Sequence, residues 1–240
     1  MAPAYYDLVV RGTEREDSLV IAQFLKGMVS ETFSLLNYYK EIPVSYDARL
    51  LSLENEMAEF EVHEYQAKVM AIEKKALLRA HPKSPFREDI LADVFYVNTA
   101  RKRAILTGFH YAKIHSDLRR FVRVNLEGRT ADVDLHVVDG TVLGGSVRDI
   151  SLGGVAIECA DVTGIEPGAE LRLVLKLDVA DHSRPLEIAV TCTVVRLIGE
   201  TSPYICIAEF QSERQSQQSL AYYINQRQVE IIRELKELAA

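Results

Sequence analysis

The segment DLRRFVRV, residues 117 to 124, sets Arg119, Arg120 and Arg123 within five positions, with Arg129 shortly after. Guanidinium forks can grip phosphate oxygens or other planar acceptors bidentately, which the point charge of lysine cannot do. Further along, RDISLGG places Asp149, Ser151, Gly153 and Gly154 at a strand end and tight turn. The aspartate supplies an acceptor, the serine a donor, and the glycines let backbone approach a ligand or take up positive φ. Each feature also has an ordinary explanation, a solvated basic turn in the first case and an Asp/Ser/Gly turn in the second. Taken together they suit the binding of a small anion.

The rest of the composition narrows that chemistry. A net charge of −7 argues against a nucleic-acid polymer or an anionic membrane, which need a broad surplus of Lys and Arg. A small anion needs only a local pocket. No apolar run approaches the roughly 18 residues of a bilayer span, and no secretory signal is visible at the start, so membrane insertion is not expected and a cytoplasmic location is. Cys159, Cys192 and Cys206 are odd in number and lack CxxC spacing. They read as small buried hydrophobes, without disulfides or a zinc site. His63, His81, His110, His115, His136 and His182 are scattered, and HExxH, GxSxG, Walker A and GxGxxG patterns are absent. Neither an enzyme nor a metal or cofactor is expected.

Several elements must hold these residues in place. EDSLVIAQFLKGMVSETFSLLNYYKEIP carries Ile21, Phe24, Leu25, Met28, Leu35, Leu36 and Tyr39 on a 3.6-residue period. It predicts one amphipathic helix, capped by Asp17 or Ser18 and closed by Pro43. VSYDARLLSLENEMAEFEVH reads as a hairpin turning at ENE, followed by a helical turn near Gln66 to Ile72 and a strand near Ala76 to Ala80. ILADVFYVNTARKRAILTGFHYAKI predicts another hairpin, with Arg101 to Arg103 in a solvated turn. Residues 111 to 118 read as a connector. Six strand-like segments then follow at short intervals: FVRVNL, ADVDLHVV, LGGSVRDISLGGVAIE, ELRLVLKLDV, LEIAVTCTVVRLI and YICIAEF. That is the pattern of a small antiparallel barrel. A final helix carries Leu220, Ile224, Ile231, Leu235 and Leu238, with Ser212 as its cap. The expected fold class is mainly β with flanking helices, divided into residues 1–114 and 115–240.

The R-x-x-x-R of Arg119 and Arg123, followed by the D-x-S-x-x-G of Asp149, Ser151 and Gly154, resembles the motif pair of PilZ domains. These are small β-barrel receptors for the bacterial second messenger cyclic di-GMP. The resemblance covers residues 115 to 240. It implies a six-stranded antiparallel barrel with a C-terminal helix, and cyclic di-GMP as ligand. The N-terminal helix and hairpin-rich body resemble the two-domain YcgR-like arrangement of flagellar-brake proteins, implying a second, smaller barrel-like domain in residues 1–114. On this reading Arg119 and Arg123 contact phosphate and guanine O6/N7, while Asp149 accepts from the guanine N1–H and N2–H₂. Ser151 donates to the ligand, and Gly153 and Gly154 shape the turn. Arg120 supports the site, meets a second nucleotide or faces solvent, and solvation is the expectation for Arg148.

Arginines at a domain junction suggest an output in which ligand draws the connector onto the barrel and repositions the N-terminal half. The YcgR-like resemblance implies a flagellar motor component as downstream partner, whereas other PilZ proteins act on polysaccharide synthesis, pili or transcription. The competing class is a ligand-independent interaction or oligomerisation module, its arginines in ion pairs. The apolar stripe of the last helix suits either a homodimer or packing against its own barrel.

Overall fold

The computed structural model describes residues 5–115, 120–179, 184–211 and 214–238. Its chain forms two compact units, one comprising Met1–Tyr39, Pro43–Arg119 and Ile232–Ala240, the other Lys40–Ile42 and Arg120–Ile231. No helix among the described residues is long and apolar enough to cross a membrane.

The first unit contains β1 (Tyr6–Val9), α1 (Glu14–Lys26), β2 (Thr32–Tyr39), β3 (Ile42–Glu54), β4 (Met57–Glu61), α2 (Glu64–Glu73), β5 (Lys75–Leu78), β6 (Asp89–Asn98) and β7 (Arg103–Ile114). Its strands follow the order β7-β4-β3-β2-β5-β6, and pairing of β6 with β7 closes them into a six-membered antiparallel ring. Strand β1 lies outside the ring, paired with β7 alone from Tyr6↔Ile114 to Val9↔Tyr111. Ring closure pairs the terminal strands β6 and β7 with each other, leaving β7 an edge only where β1 adds to it. Leu35, Leu50, Phe60, Leu78, Leu106 and Phe109 fill the core, together with Ile21 and Leu25 from α1.

One helix was expected across residues 18 to 40, and the chain makes a helix and a strand there instead. Helix α1 starts at a capping box in which Thr13 accepts from Glu16 N–H and the Glu16 carboxylate accepts from Thr13 N–H. Asp17, expected as a cap, accepts from the N–H groups of Arg11 and Gly12 at 2.9 and 3.2 Å. Gly27 caps the far end, and Ser30 takes φ 75° before β2 begins. Leu35, Leu36, Asn37, Tyr38 and Tyr39 are all buried, because β2 is covered on both faces. A strand of that kind reads as a continuous apolar run that also satisfies a helical period. Two further expectations need correction. Tyr111–Ile114 belongs to β7 rather than to a connector, and Arg103, expected in a solvated turn, is the first residue of β7 and is half-buried between Glu59 and Glu61.

The second unit contains β8 (Val124–Asn125), β9 (Ala131–His136), β10 (Val142–Ile150), β11 (Gly154–Cys159), β12 (Glu170–Leu177), β13 (Leu186–Ile198), β14 (Tyr204–Phe210) and most of α3 (Arg214–Glu237). The order β11-β14-β13-β12-β9-β10 closes through the β10–β11 pairing into a second six-stranded ring, with β8 attached outside to β10. The segment LGGSVRDISLGGVAIE is therefore two strands, and only two residues of FVRVNL are paired. Val133, Leu135, Val147, Leu173, Leu175, Val190 and Val194 are buried along alternating strand positions, as a barrel interior requires. Cys159, Cys192 and Cys206 are fully buried free thiols. The proposed cap Ser212 lies outside the described residues.

Candidate functional site

The short strand β8 begins one residue after Arg123 and lies antiparallel to the end of β10, with Val124 opposite Ile150 and Asn125 opposite Asp149. Leu126 N–H extends the contact to the Arg148 carbonyl at 2.8 Å. This pairing joins the two motifs. It places Arg123 Nη1 3.6 Å from Asp149 Oδ1, with side-chain exposures of 37% and 21%. At that distance the contact is a loose ion pair rather than a tight hydrogen bond. A donor fork and an acceptor carboxylate thus stand side by side, both reachable from solvent.

A β-bulge aims the carboxylate. The register of β10 on β11 shifts between Val147 and Asp149, leaving Arg148 as the extra residue, exposed. Strict alternation from buried Val147 would turn Asp149 inward and Ile150 outward. The bulge resets the phase, so Ile150 is buried and Asp149 is only half-buried. Arg148 faces solvent as expected.

The turn that follows is held by its own backbone. Ser151 N–H donates to the Gly154 carbonyl at 2.9 Å, and Phe210 N–H to the Gly153 carbonyl at 3.0 Å. The buried Ser151 hydroxyl accepts from Gly153 N–H at 3.3 Å and donates to the Gly154 carbonyl at 3.4 Å. Both bonds are long, which leaves the hydroxyl weakly committed. Neither Gly153 nor Gly154 has positive φ, so close approach explains them instead. A Cβ on Gly154 would stand 2.4 Å from the Ala208 carbonyl oxygen, and one on Gly153 would stand 2.9 Å from Cδ2 of Phe121.

Phe121 is the residue that sequence reasoning missed. Its ring covers Gly153 and supports the exposed Arg120, whose guanidinium carbon lies 5.2 Å from the ring centroid. An aromatic residue set between two arginines was the available signal, since guanidinium stacks on such faces. The structure therefore brings together Arg120, Arg123, Asp149, Ser151, Gly153 and Gly154. Arg119 lies outside the described residues. No group of His, Cys, Asp or Glu among the described residues could hold a metal ion.

Residues 117–226 match the PilZ domain family. These residues form a PilZ domain. No curated protein matches the chain in sequence. Among solved structures it is similar to MrkH of K. pneumonia bound to c-di-GMP, with 16% identity, TM-score 0.47 and coverage of 95% of this chain and 100% of that one. It is also similar to YcgR of Escherichia coli in complex with c-di-GMP, with 10% identity, TM-score 0.44 and coverage of 95% and 100%. A third is the Bacillus subtilis inhibitor of motility MotI/DgrA, with 16% identity, TM-score 0.41 and coverage of 84% and 97%.

Within the PilZ domain, Arg129 does not join the site. Its Nη2 meets Glu230 of α3 at 2.9 Å, and Arg227 Nη1 meets the same carboxylate at 3.0 Å. Arg227 is 3% exposed, and its Nε donates to the Asn125 carbonyl at 3.4 Å. The neighbouring Tyr223 hydroxyl is buried, and desolvation pushes its pKa up to about 12. The helix is thereby fastened to the residue directly opposite Asp149.

Proposed function

We propose that the PilZ domain is a receptor for cyclic di-GMP and that the protein acts as an effector rather than an enzyme. The observation that carries this reading is the Arg123–Asp149 pair, brought together by β8 on β10 within a PilZ domain. A cyclic dinucleotide presents phosphate and guanine O6/N7 acceptors beside N1–H and N2–H₂ donors, so it needs both halves of that pair. Arg119 and Arg123 take the acceptors, Asp149 takes the guanine donors, and Ser151 turns its weakly held hydroxyl to the ligand. Arg120, already stacked on Phe121, covers a guanine face. Gly153 and Gly154 keep the turn flat against Phe121 and β14.

Isothermal titration calorimetry tests the assignment. Cyclic di-GMP binds saturably and GTP does not, and Arg123→Ala weakens binding about 10- to 100-fold, the effect of losing one or two charge-assisted hydrogen bonds. Because Arg123 is half-exposed, the variant stays folded. Unchanged affinity in a folded Arg123→Ala protein would sink the reading and leave a PilZ barrel used for protein contacts.

Ligand binding also changes the arrangement of the two units and so regulates a partner. The R-x-x-x-R segment lies where the sequence passes from its N-terminal to its C-terminal half, so a ligand that draws Arg119 and Arg123 onto the barrel acts on the connector. A ligand shifts such an equilibrium only through different affinities for the two arrangements. The YcgR-like resemblance makes a flagellar motor component the partner to try first. Superimposable small-angle scattering curves with and without cyclic di-GMP would count against the rearrangement.

A further inference from the structure

The first unit has a cleft of about 270 Å³ that the cyclic dinucleotide reading does not use. It lies among β1, β2, β5 and the C-terminal end of α2, with Leu36, Leu77 and Leu91 supplying its apolar lining. Three tyrosines also line it, Tyr5, Tyr6 and Tyr38, and the Tyr5 and Tyr38 rings stack with centroids 4.0 Å apart and planes 11° from parallel. At the wall stands Glu73, the last residue of α2.

Two of the polar side chains around the cleft are committed. The Asn37 amide donates to the Lys75 carbonyl and accepts from Gln66, both at 2.6 Å. The Lys75 ammonium is drawn away to Asp93. Lys74 forms the left-handed cap of α2 and is exposed. Glu73 is exposed and makes no hydrogen bond or ion pair among the described residues, and the desolvation its carboxyl does undergo raises it above the usual range. Its position adds to the cost, because the carboxylate sits at the negative pole of a helix whose last turn has no basic residue.

We infer that this cleft binds a small organic cation, a quaternary or protonated amine, held by the outer face of the Tyr5–Tyr38 stack, whose inner faces cover each other, by Tyr6 and by the Glu73 carboxylate. Ring faces carry negative charge density and attract a cation within about 6 Å of the centroid. The carboxylate and the carbonyl end of α2 add to that field, and the leucines suit alkyl groups on nitrogen. The volume is just below the usual range of about 300–1,000 Å³ for small-molecule sites, which favours a compact ligand. The site is independent of the PilZ domain reading and stands or falls without it.

The test is titration of the full chain with choline and with its neutral carbon isostere dimethylbutanol, followed by amide chemical shifts and calorimetry. Choline binds with shifts at Tyr5, Tyr6, Tyr38 and Glu73, and dimethylbutanol binds about tenfold more weakly or not at all. Glu73→Gln, at an exposed position that tolerates the change, weakens choline by a similar factor, and Tyr38→Leu does the same. Equal binding of the two probes, with no effect of Glu73→Gln, would overturn the cation site and leave a merely apolar cleft. Absence of choline binding in the folded protein would overturn it outright.

Discussion

Gly153 and Gly154 are adjacent, yet a methyl group would do different damage at each. On Gly154 it would press on the backbone of β14 at Ala208, which cannot yield without breaking the β11–β14 ladder. Gly154→Ala should destabilise the PilZ domain by about 1–3 kcal/mol, read as a lower urea midpoint. On Gly153 it would meet the Phe121 ring, which can swing aside. Gly153→Ala should leave the midpoint nearly unchanged while weakening cyclic di-GMP severalfold, because Phe121 carries Arg120. A calorimetric affinity unaltered by Gly153→Ala would remove Phe121 from the site. The three barrel thiols make a second residue-level prediction. Desolvation pushes Cys159 from 9.0 up to about 12, and Cys192 and Cys206 up to about 11. Above pH 9 the unfolded chain releases these protons while the folded chain retains them. The unfolded state then holds fewer protons, so stability is intact below pH 9 and falls as pH rises from 9 towards 11 and 12. Urea midpoints across that window should drop, and Cys206→Ala should flatten the decline.

At the scale of elements, what the sequence disclosed and what it hid follow from turn chemistry and from burial on two faces. The strands of the PilZ domain were legible because they alternate and are punctuated, as in ELRLVLKL with its burial of every second residue. The helix expected to run on to Tyr39 failed because β2 is buried on both sides. It failed also because the β2–β3 turn gives no glycine or asparagine signal. Lys40 and Glu41 both take positive φ, 49° and 71°, the backbone of a type I′ hairpin turn made from residues that seldom adopt it. The bulge at Arg148 was hidden for a similar reason, since its sequence carries no glycine at the shifted position. The motif residues were legible by type and spacing, whereas the support beneath them was not. Arg227 lies about a hundred positions from Asn125 in the chain, and no local pattern links the two. Arg227→Met should cost about 1–3 kcal/mol of stability by stranding part of the Glu230 charge. It should also lower cyclic di-GMP affinity, because Arg227 holds the Asn125 carbonyl in the strand opposite Asp149. Loss of stability with unchanged affinity would show that α3 only covers the barrel.

At the scale of the whole molecule, each unit borrows chain from beyond the sequence boundary proposed near residue 115. Lys40–Ile42 is counted with the second unit and Ile232–Ala240 with the first. Lys40 supplies the carbonyl that Asn125 N–H reaches at 3.3 Å, at the strand that carries the arginine motif. A fragment of residues 115–240 lacks that partner, so it should melt below the PilZ domain transition of the full chain and bind cyclic di-GMP more weakly. Differential scanning calorimetry of the fragment beside the intact protein checks this, and equal melting would make the borrowed segment dispensable. Both rings carry one strand outside the closed circle, β1 on β7 and β8 on β10, and both candidate ligand sites lean on that outer stave. A ring strand exchanges its amide hydrogens only when the barrel opens, whereas a stave paired on one side can peel away locally. In deuterated water, label should therefore enter β8 and β1 long before the rings. Cyclic di-GMP should slow the clock of β8 alone and choline that of β1 alone, so a single mass spectrum would report which of the two staves is occupied.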